Sequence, residues 1–349
     1  MMDLEHTAPG SRKTSPPKVF VMLALVAVAG IGAAIFWTQS EQAAAPISTS
    51  PVTIALPTQI NSASMLVAFG QGLFQKAGVN VVNQPFLLGK DALKSVLDGK
   101  ADLAVVADVP VMFALNSGSD IAILAGISQA RRALAIVARN DRSISGMQDL
   151  KGKTLALTKG ANFPYFLDAM LQVNKIPSET VTLIDMKTPD VIAAFKEGKV
   201  DAAVVFQPFL AQLEMSMGNQ MKVFYGEDVY AFRFLLVGKP AYIEGHPQEI
   251  RRILTALSQA NRAIGDNPVA ARQMVGQAVK VDDEIMSKLF DPADYVLSLD
   301  QAMLLALDDQ TRWAMHSGLV KAGPVPNYLQ HINYRDLEAV NPAAVKIVR

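Results

Sequence analysis

Short apolar, β-branched runs alternate along this chain with segments whose apolar positions recur every three to four residues, the two periods of strand and helix. Residues 52–56 read as a strand that stops at Pro57. A helix is expected to follow through about Lys76, opened by Ser62 or Ser64 and closed by Gly78. Strands are then expected at 79–82, 101–106 and 121–127, with helices at 91–98 and from Pro110 to Leu115 between them. The same grammar restarts at 150–157: helix 161–174, strand 181–185, helix 189–196, strand 200–206. Beyond about Pro240 the pattern turns helical, at roughly 246–264, 266–279, 282–290, 300–317 and 334–339. Strand–helix alternation of this kind builds parallel sheets from βαβ units. The chain is therefore expected to be α/β, in two lobes with a cleft between them.

The first part of the chain reads differently. Residues 1–18 are polar and carry Arg12, Lys13 and Lys18, and the 19 residues 19–37 then carry no charge. As a helix that run would be about 28 Å long, close to the thickness of a bilayer core. The basic flank places the N-terminus in the cytoplasm and the remainder outside. An uncleaved transmembrane helix and a cleaved signal segment both remain open; the apolar run is long for a signal peptide, and Pro46 follows the tempting Ala43, Ala44 and Ala45. Residues 38–51, rich in Ala, Ser, Thr and Pro, read as a linker.

Composition narrows the function classes. Of 349 residues, half are hydrophobic and 18% are charged, which excludes a disordered chain. The formal net charge is zero and no basic stripe is present, so no nucleic-acid partner is expected. With no cysteine there is no disulfide, thiolate nucleophile or lipoprotein anchor. His6, His246, His316 and His331 are widely separated and form no metal or catalytic motif. Gly146 to Thr154 superficially suggests a phosphate loop, but five residues separate its glycines and Thr154 leads into a strand. Asp282–Asp283 and Asp308–Asp309 read as solvated helix positions. No enzyme, cofactor or metal site is expected.

The two halves share a phrase, Leu-Asp-Gly-Lys-Ala-Asp-Leu-Ala-Val-Val at 97–106 and Lys-Glu-Gly-Lys-Val-Asp-Ala-Ala-Val-Val at 196–205. That phrase resembles the type II periplasmic binding proteins, and within them the nitrate/sulfonate/taurine and thiamine-precursor binding family. The likeness runs over most of 52–340. It is carried by GQGLFQKAG at 70–78, Ala107-Asp108-Val109-Pro110, DLKGKT at 149–154, Lys159-Gly160 before a helix, and Phe206-Gln207-Pro208-Phe209. Ala161 and Asn162 stand where sulfonate binders often carry serines, and Phe206 stands for a tryptophan. The resemblance implies a Venus-flytrap fold, with 52–138 plus 231–349 as lobe 1, 139–230 as lobe 2, and crossing strands near 133–138 and 231–237.

Ligands of open α/β sheets sit beyond the carboxyl ends of the strands. That rule selects Gln59, Asn61 and Ser62 after the first strand, Asp108 after the third, Gly160, Ala161, Asn162 and Phe163 at the start of a lobe 2 helix, and Phe206 with Gln207 after a lobe 2 strand. Each has a structural alternative. Asn61, Ser62, Asp108 and Asn162 could cap helices, and Phe206 could be core. Arg131, Arg132 and Arg233 flank the crossings and could hold an anionic group or form surface ion pairs. The expected role is the extracytoplasmic solute-binding component of an ABC importer, partnered by permease and ATPase subunits. It would be held at the periplasmic face of the inner membrane, or released there after signal cleavage. The cargo would be a small polar organic molecule, among sulfonates, taurine, nitrate-like anions and heteroaromatic precursors. The alternative is a membrane-tethered ligand sensor that passes ligand state to a partner protein.

Overall fold

A computed structural model describes residues 50–348. The expected stub, apolar segment 19–37 and most of the linker lie outside the described residues. Among those described, no helix is long and apolar enough to cross a membrane.

Two five-stranded sheets organise the described residues. The first has the order β2-β1-β3-β10-β4, from β1 (Val52–Pro57), β2 (Val81–Phe86), β3 (Leu103–Ala107), β4 (Ala122–Ala130) and β10 (Phe232–Gly238). The second has the order β7-β6-β8-β5-β9, from β5 (Leu134–Arg139), β6 (Thr154–Leu157), β7 (Thr182–Asp185), β8 (Ala202–Phe206) and β9 (Met221–Tyr225). Strands β2, β1 and β3 run parallel, as do β7, β6 and β8. Fully buried β3 and β8 are unbroken apolar runs, as strands covered on both faces must be. The crossing strands depart from the parallel expectation. β10 is antiparallel to β3 and β4, and β5 is antiparallel to β8 and β9. Pairing with β8 and β9 also puts β5 in the second sheet, so lobe 2 begins at the 131–133 crossover, before the expected boundary at 139.

The repeated Gly-Lys-x-Asp phrase has a structural purpose. In lobe 1 the Asp102 carboxylate accepts from the Thr53 backbone N–H at 2.7 Å, and in lobe 2 Asp201 accepts from Thr154 N–H at 2.8 Å. In each lobe the aspartate before one strand holds a backbone amide at the start of its parallel neighbour, the second residue of β1 and the first of β6, and so sets the register. Helices Pro247–Asp266, Pro268–Val279 and Tyr334–Val340 cover lobe 1, close to the expected spans. Helix Gln301–His316 packs on Asp108–Asn116 and returns the C-terminal part to the cleft.

Candidate functional site

The carboxyl ends of β1, β3, β6 and β8 face one another across the space between the lobes. Phe163 opens the helix Phe163–Val173, and its ring stacks on Phe206 at the end of β8, with centroids 5.5 Å apart and planes 15° apart. Phe209 meets Phe206 edge-on at 5.1 Å. Gln59, Leu88, Lys90 and Pro110 of lobe 1 close on Ala161, Asn162, Phe163 and Phe206 of lobe 2, leaving a cavity of about 20 Å³. That is room for about one water molecule. A ligand enters only if the lobes part or the two phenylalanines turn.

Behind the aromatic pair lies a buried polar clasp. Asp108 is fully buried. Its Oδ1 accepts from the Tyr230 hydroxyl at 2.5 Å and from Val109 N–H at 3.0 Å, and its Oδ2 accepts from Gln310 Nε2 at 2.8 Å. Asn162 Nδ2 in turn donates to Tyr230 Oη at 3.1 Å. Tyr230 lies in the second crossover, so one hydroxyl joins lobe 1 to lobe 2. Loss of hydration on burial pushes the Asp108 carboxyl up, against the hydrogen bonds from Tyr230 and Gln310 and the charge of Arg233, which hold it down. A second tie spans the lobes where Trp313 Nε1 donates to Asp168 at 2.9 Å. Tyr165 packs edge-on against both Tyr230 and Trp313.

Toward the crossovers the inter-lobe space widens into a chamber of about 610 Å³. Asn61, Gln207, Arg131, Arg132, Tyr225 and Asp294 are on its walls. Gln207 is buried; its Oε1 accepts from Ala211 N–H at 3.2 Å, while among the described residues its Nε2 finds no acceptor. Arg131 Nη1 donates to the Glu227 carbonyl at 2.9 Å and so ties one crossover to the other. Arg132 pairs with Glu227 at 3.2 Å and lies 4.3 Å over the Tyr225 ring. Asp294 is pushed up to about 7 by burial and then by the charge of Asp291.

The sequence-selected residues divide accordingly. Gln59, Ala161, Asn162, Phe163 and Phe206 line the aromatic cleft, and Asn61 and Gln207 line the chamber. Gly160, with φ +77°, supplies a left-handed turn under the Lys90 side chain. Asp108 stands behind the cleft wall with both oxygens engaged by protein groups. Ser62 faces inward, donating to the Pro57 carbonyl at 2.6 Å at the end of β1. None of Asn61, Ser62 and Asn162 caps a helix with its side chain. Arg233 donates to the Ala231 carbonyl at 3.4 Å, away from the aromatic cleft. Sequence reasoning missed Lys90, Tyr230, Gln310, Asp168 and Trp313. Lys90 was within reach of the strand-end rule, since it lies just beyond β2. The others sit in a crossover or in helices, where spacing gives no signal. Among the described residues, no group of three or more His, Asp or Glu is placed to hold a metal ion.

Comparison with known proteins adds to this geometry. A Bacillus subtilis (strain 168) protein named for binding aliphatic sulfonates is 28% identical over 214 residues, 59% of this chain and 64% of that protein. The taurine-binding periplasmic protein of Escherichia coli (strain K12) is 27% identical over 164 residues, 47% of this chain and 50% of that one. The chain thus matches less than two thirds of the length of either relative. The alkanesulfonate-binding protein of Xanthomonas axonopodis pv. citri, in a structure bound to MOPS, superposes with a TM-score of 0.72 at 17% identity, over 82% of this chain and 99% of that one. That likeness establishes the two-lobed periplasmic-binding-protein fold. Residues 59–271 match the NMT1/THI5-like family, and the chain belongs to it.

Proposed function

We propose that this protein is the extracytoplasmic solute-binding component of an ABC importer and that it captures a small organic sulfonate between its lobes. The observation that carries the reading is the convergence of strand-end residues from both lobes, Gln59 and Lys90 from one and Asn162, Phe163 and Phe206 from the other, on a single aromatic cleft. Aromatic walls take up an alkyl or aryl body, while the second amide protons of Gln59 and Asn162, whose first go to the Leu87 carbonyl and Tyr230 Oη, supply donors for an oxyanion. The relatives named for sulfonate and taurine binding favour this cargo over a bare inorganic anion.

Capture and closure are coupled in this reading. The lobes are joined through the crossovers at 131–133 and 226–231, and the Asp108–Tyr230–Asn162 clasp spans them. A ligand that contacts both lobes binds the closed state better and so shifts the population toward it. The closed surface is what the permease would recognise. The apolar segment 19–37 would deliver or tether the domain at the periplasmic face.

A thermal-shift screen of the purified protein tests the reading. The panel comprises alkanesulfonates, taurine, nitrate, bicarbonate, pyrimidines and amino acids. A ligand at about 100 times its dissociation constant adds roughly 2.7 kcal/mol of stability, a readable shift. Sulfonates are expected to raise the melting temperature saturably. A shift confined to a non-sulfonate would replace the cargo, and a flat panel would remove the transport reading.

A further inference from the structure

Among the described residues twelve line the aromatic cleft, and of these Lys90 alone carries a charge. It is the second residue of the helix Gly89–Leu97, whose N-terminus faces the cleft through Leu88, Gly89 and Lys90. Lys90 Nζ reaches across to lobe 2 and donates to the Lys159 carbonyl at 2.8 Å. Among the described residues it makes no ion pair with a carboxylate. An ammonium has three donors, so two remain for another partner.

The placement is electrostatically unfavourable as it stands. The first turn of a helix carries partial positive charge and repels a cation. Asp91, the next residue, is exposed and is not on the cleft wall. From the opposite lobe the helix Phe163–Val173 directs a second N-terminus at the same space. Its first turn has no acidic residue, and Asn162 does not cap it, because its amide is turned to Tyr230. Asp108 does not neutralise Lys90 either, since both its oxygens are engaged by Tyr230, Val109 and Gln310. Positive potential from two helix ends and one half-buried ammonium therefore meets at the mouth of a space walled by phenylalanines.

We propose that Lys90 is the counter-charge for the ligand's anionic group and the residue that makes the cleft select anions over neutral molecules of the same shape. The inference rests on the sulfonate-capture reading and adds the group that reads the charge. Lys90 keeps one donor on the Lys159 carbonyl as the lobes close and turns the others to the sulfonate oxygens. Gly160 lies directly beneath the lysine stem: a Cβ there would be in ordinary contact, 3.6 Å from Lys90 Cδ and Nζ.

The test is calorimetric titration of the full-length protein with 1-butanesulfonate and with butane-1-sulfonamide, its neutral isostere. Wild type, Lys90→Met and Lys90→Arg are compared, with melting curves to confirm folding. Loss of one charge-assisted hydrogen bond is expected to weaken butanesulfonate by about ten- to hundredfold in Lys90→Met. The sulfonamide should lose only what the Lys159 bond contributes to closure, severalfold less than the sulfonate loses, and Lys90→Arg should keep the preference for the anion. Equal weakening of both ligands in Lys90→Met would make Lys90 a closure latch and overturn the proposal. So would unchanged butanesulfonate affinity in that variant. Failure of wild type to bind either compound would instead sink the sulfonate reading itself, and the Lys90 role with it.

Discussion

At the scale of single residues, the buried carboxyl of Asp108 has the sharpest consequences. Gln310 donates to it through Nε2, while Gln310 Oε1 is buried with no partner among the described residues. An amide at position 108 would let Gln310 turn over, so that Oε1 accepts from the introduced NH₂. Asp108→Asn is therefore expected to change stability at neutral pH by less than about 1 kcal/mol, whereas Asp108→Ala, which strands Tyr230 and Gln310, should cost about 3 kcal/mol by chemical denaturation. The sign of the pH effect follows from burial. A carboxyl raised above its ordinary 3.8 holds its proton more tightly in the folded state, so its stabilising contribution is complete at low pH and is lost as pH rises through the folded value. Asp294, raised to about 7, sets a window from about pH 4 to pH 7. The melting temperature of wild type relative to Asp294→Asn should fall across that window. A difference that stays constant with pH would refute the assignment. The strand-end rule named seven of the residues that line the cleft and chamber, because those positions follow from topology. Ser62 shows where it stops: its loop was placed, but whether the hydroxyl faces the cleft or the Pro57 carbonyl is decided by packing.

Among the elements, the long helices and buried strands were legible because each satisfies one strong period over many residues. The antiparallel crossing strands β5 and β10 were not read as antiparallel, since direction depends on which strand lies beside which, and that is set by long-range packing. The Gly-Lys-x-Asp phrase was legible as a repeat, but its purpose was not: Asp102 and Asp201 pin β1 and β6 through backbone amides that no sequence pattern reveals. The helix Gly89–Leu97, which bears Lys90, is fixed by a close approach. A Cβ on Gly89 would lie 2.9 Å from Val106 Cα and 3.1 Å from Ala107 N, both backbone atoms of β3. Gly89→Ala must push the helix off the sheet and is expected to lower stability by about 1–3 kcal/mol. Because the helix also aims Lys90, that variant should weaken anion binding as well. A substitution that left both unchanged would show the packing to be looser than this geometry.

For the whole molecule, closure depends on few contacts. The Tyr230 hydroxyl links Asp108 of lobe 1 to Asn162 of lobe 2, and Trp313 links the lobes again through Asp168. Tyr230→Phe keeps the ring packing against Tyr165 and Phe232 and removes only the link. Small-angle scattering should then report a more extended average shape, with ligand affinity about tenfold weaker from the loss of hydrogen bonding in the closed state. The central claim is that a sulfonate is held between the lobes against the Phe163–Phe206 pair. Its most direct test is calorimetric titration of taurine and short alkanesulfonates into wild type and Phe206→Leu. Saturable one-to-one binding in wild type, at least about tenfold weaker in the variant through lost ring contact, is the expected result. Absence of binding by any sulfonate, or equal affinity in both proteins, would contradict it.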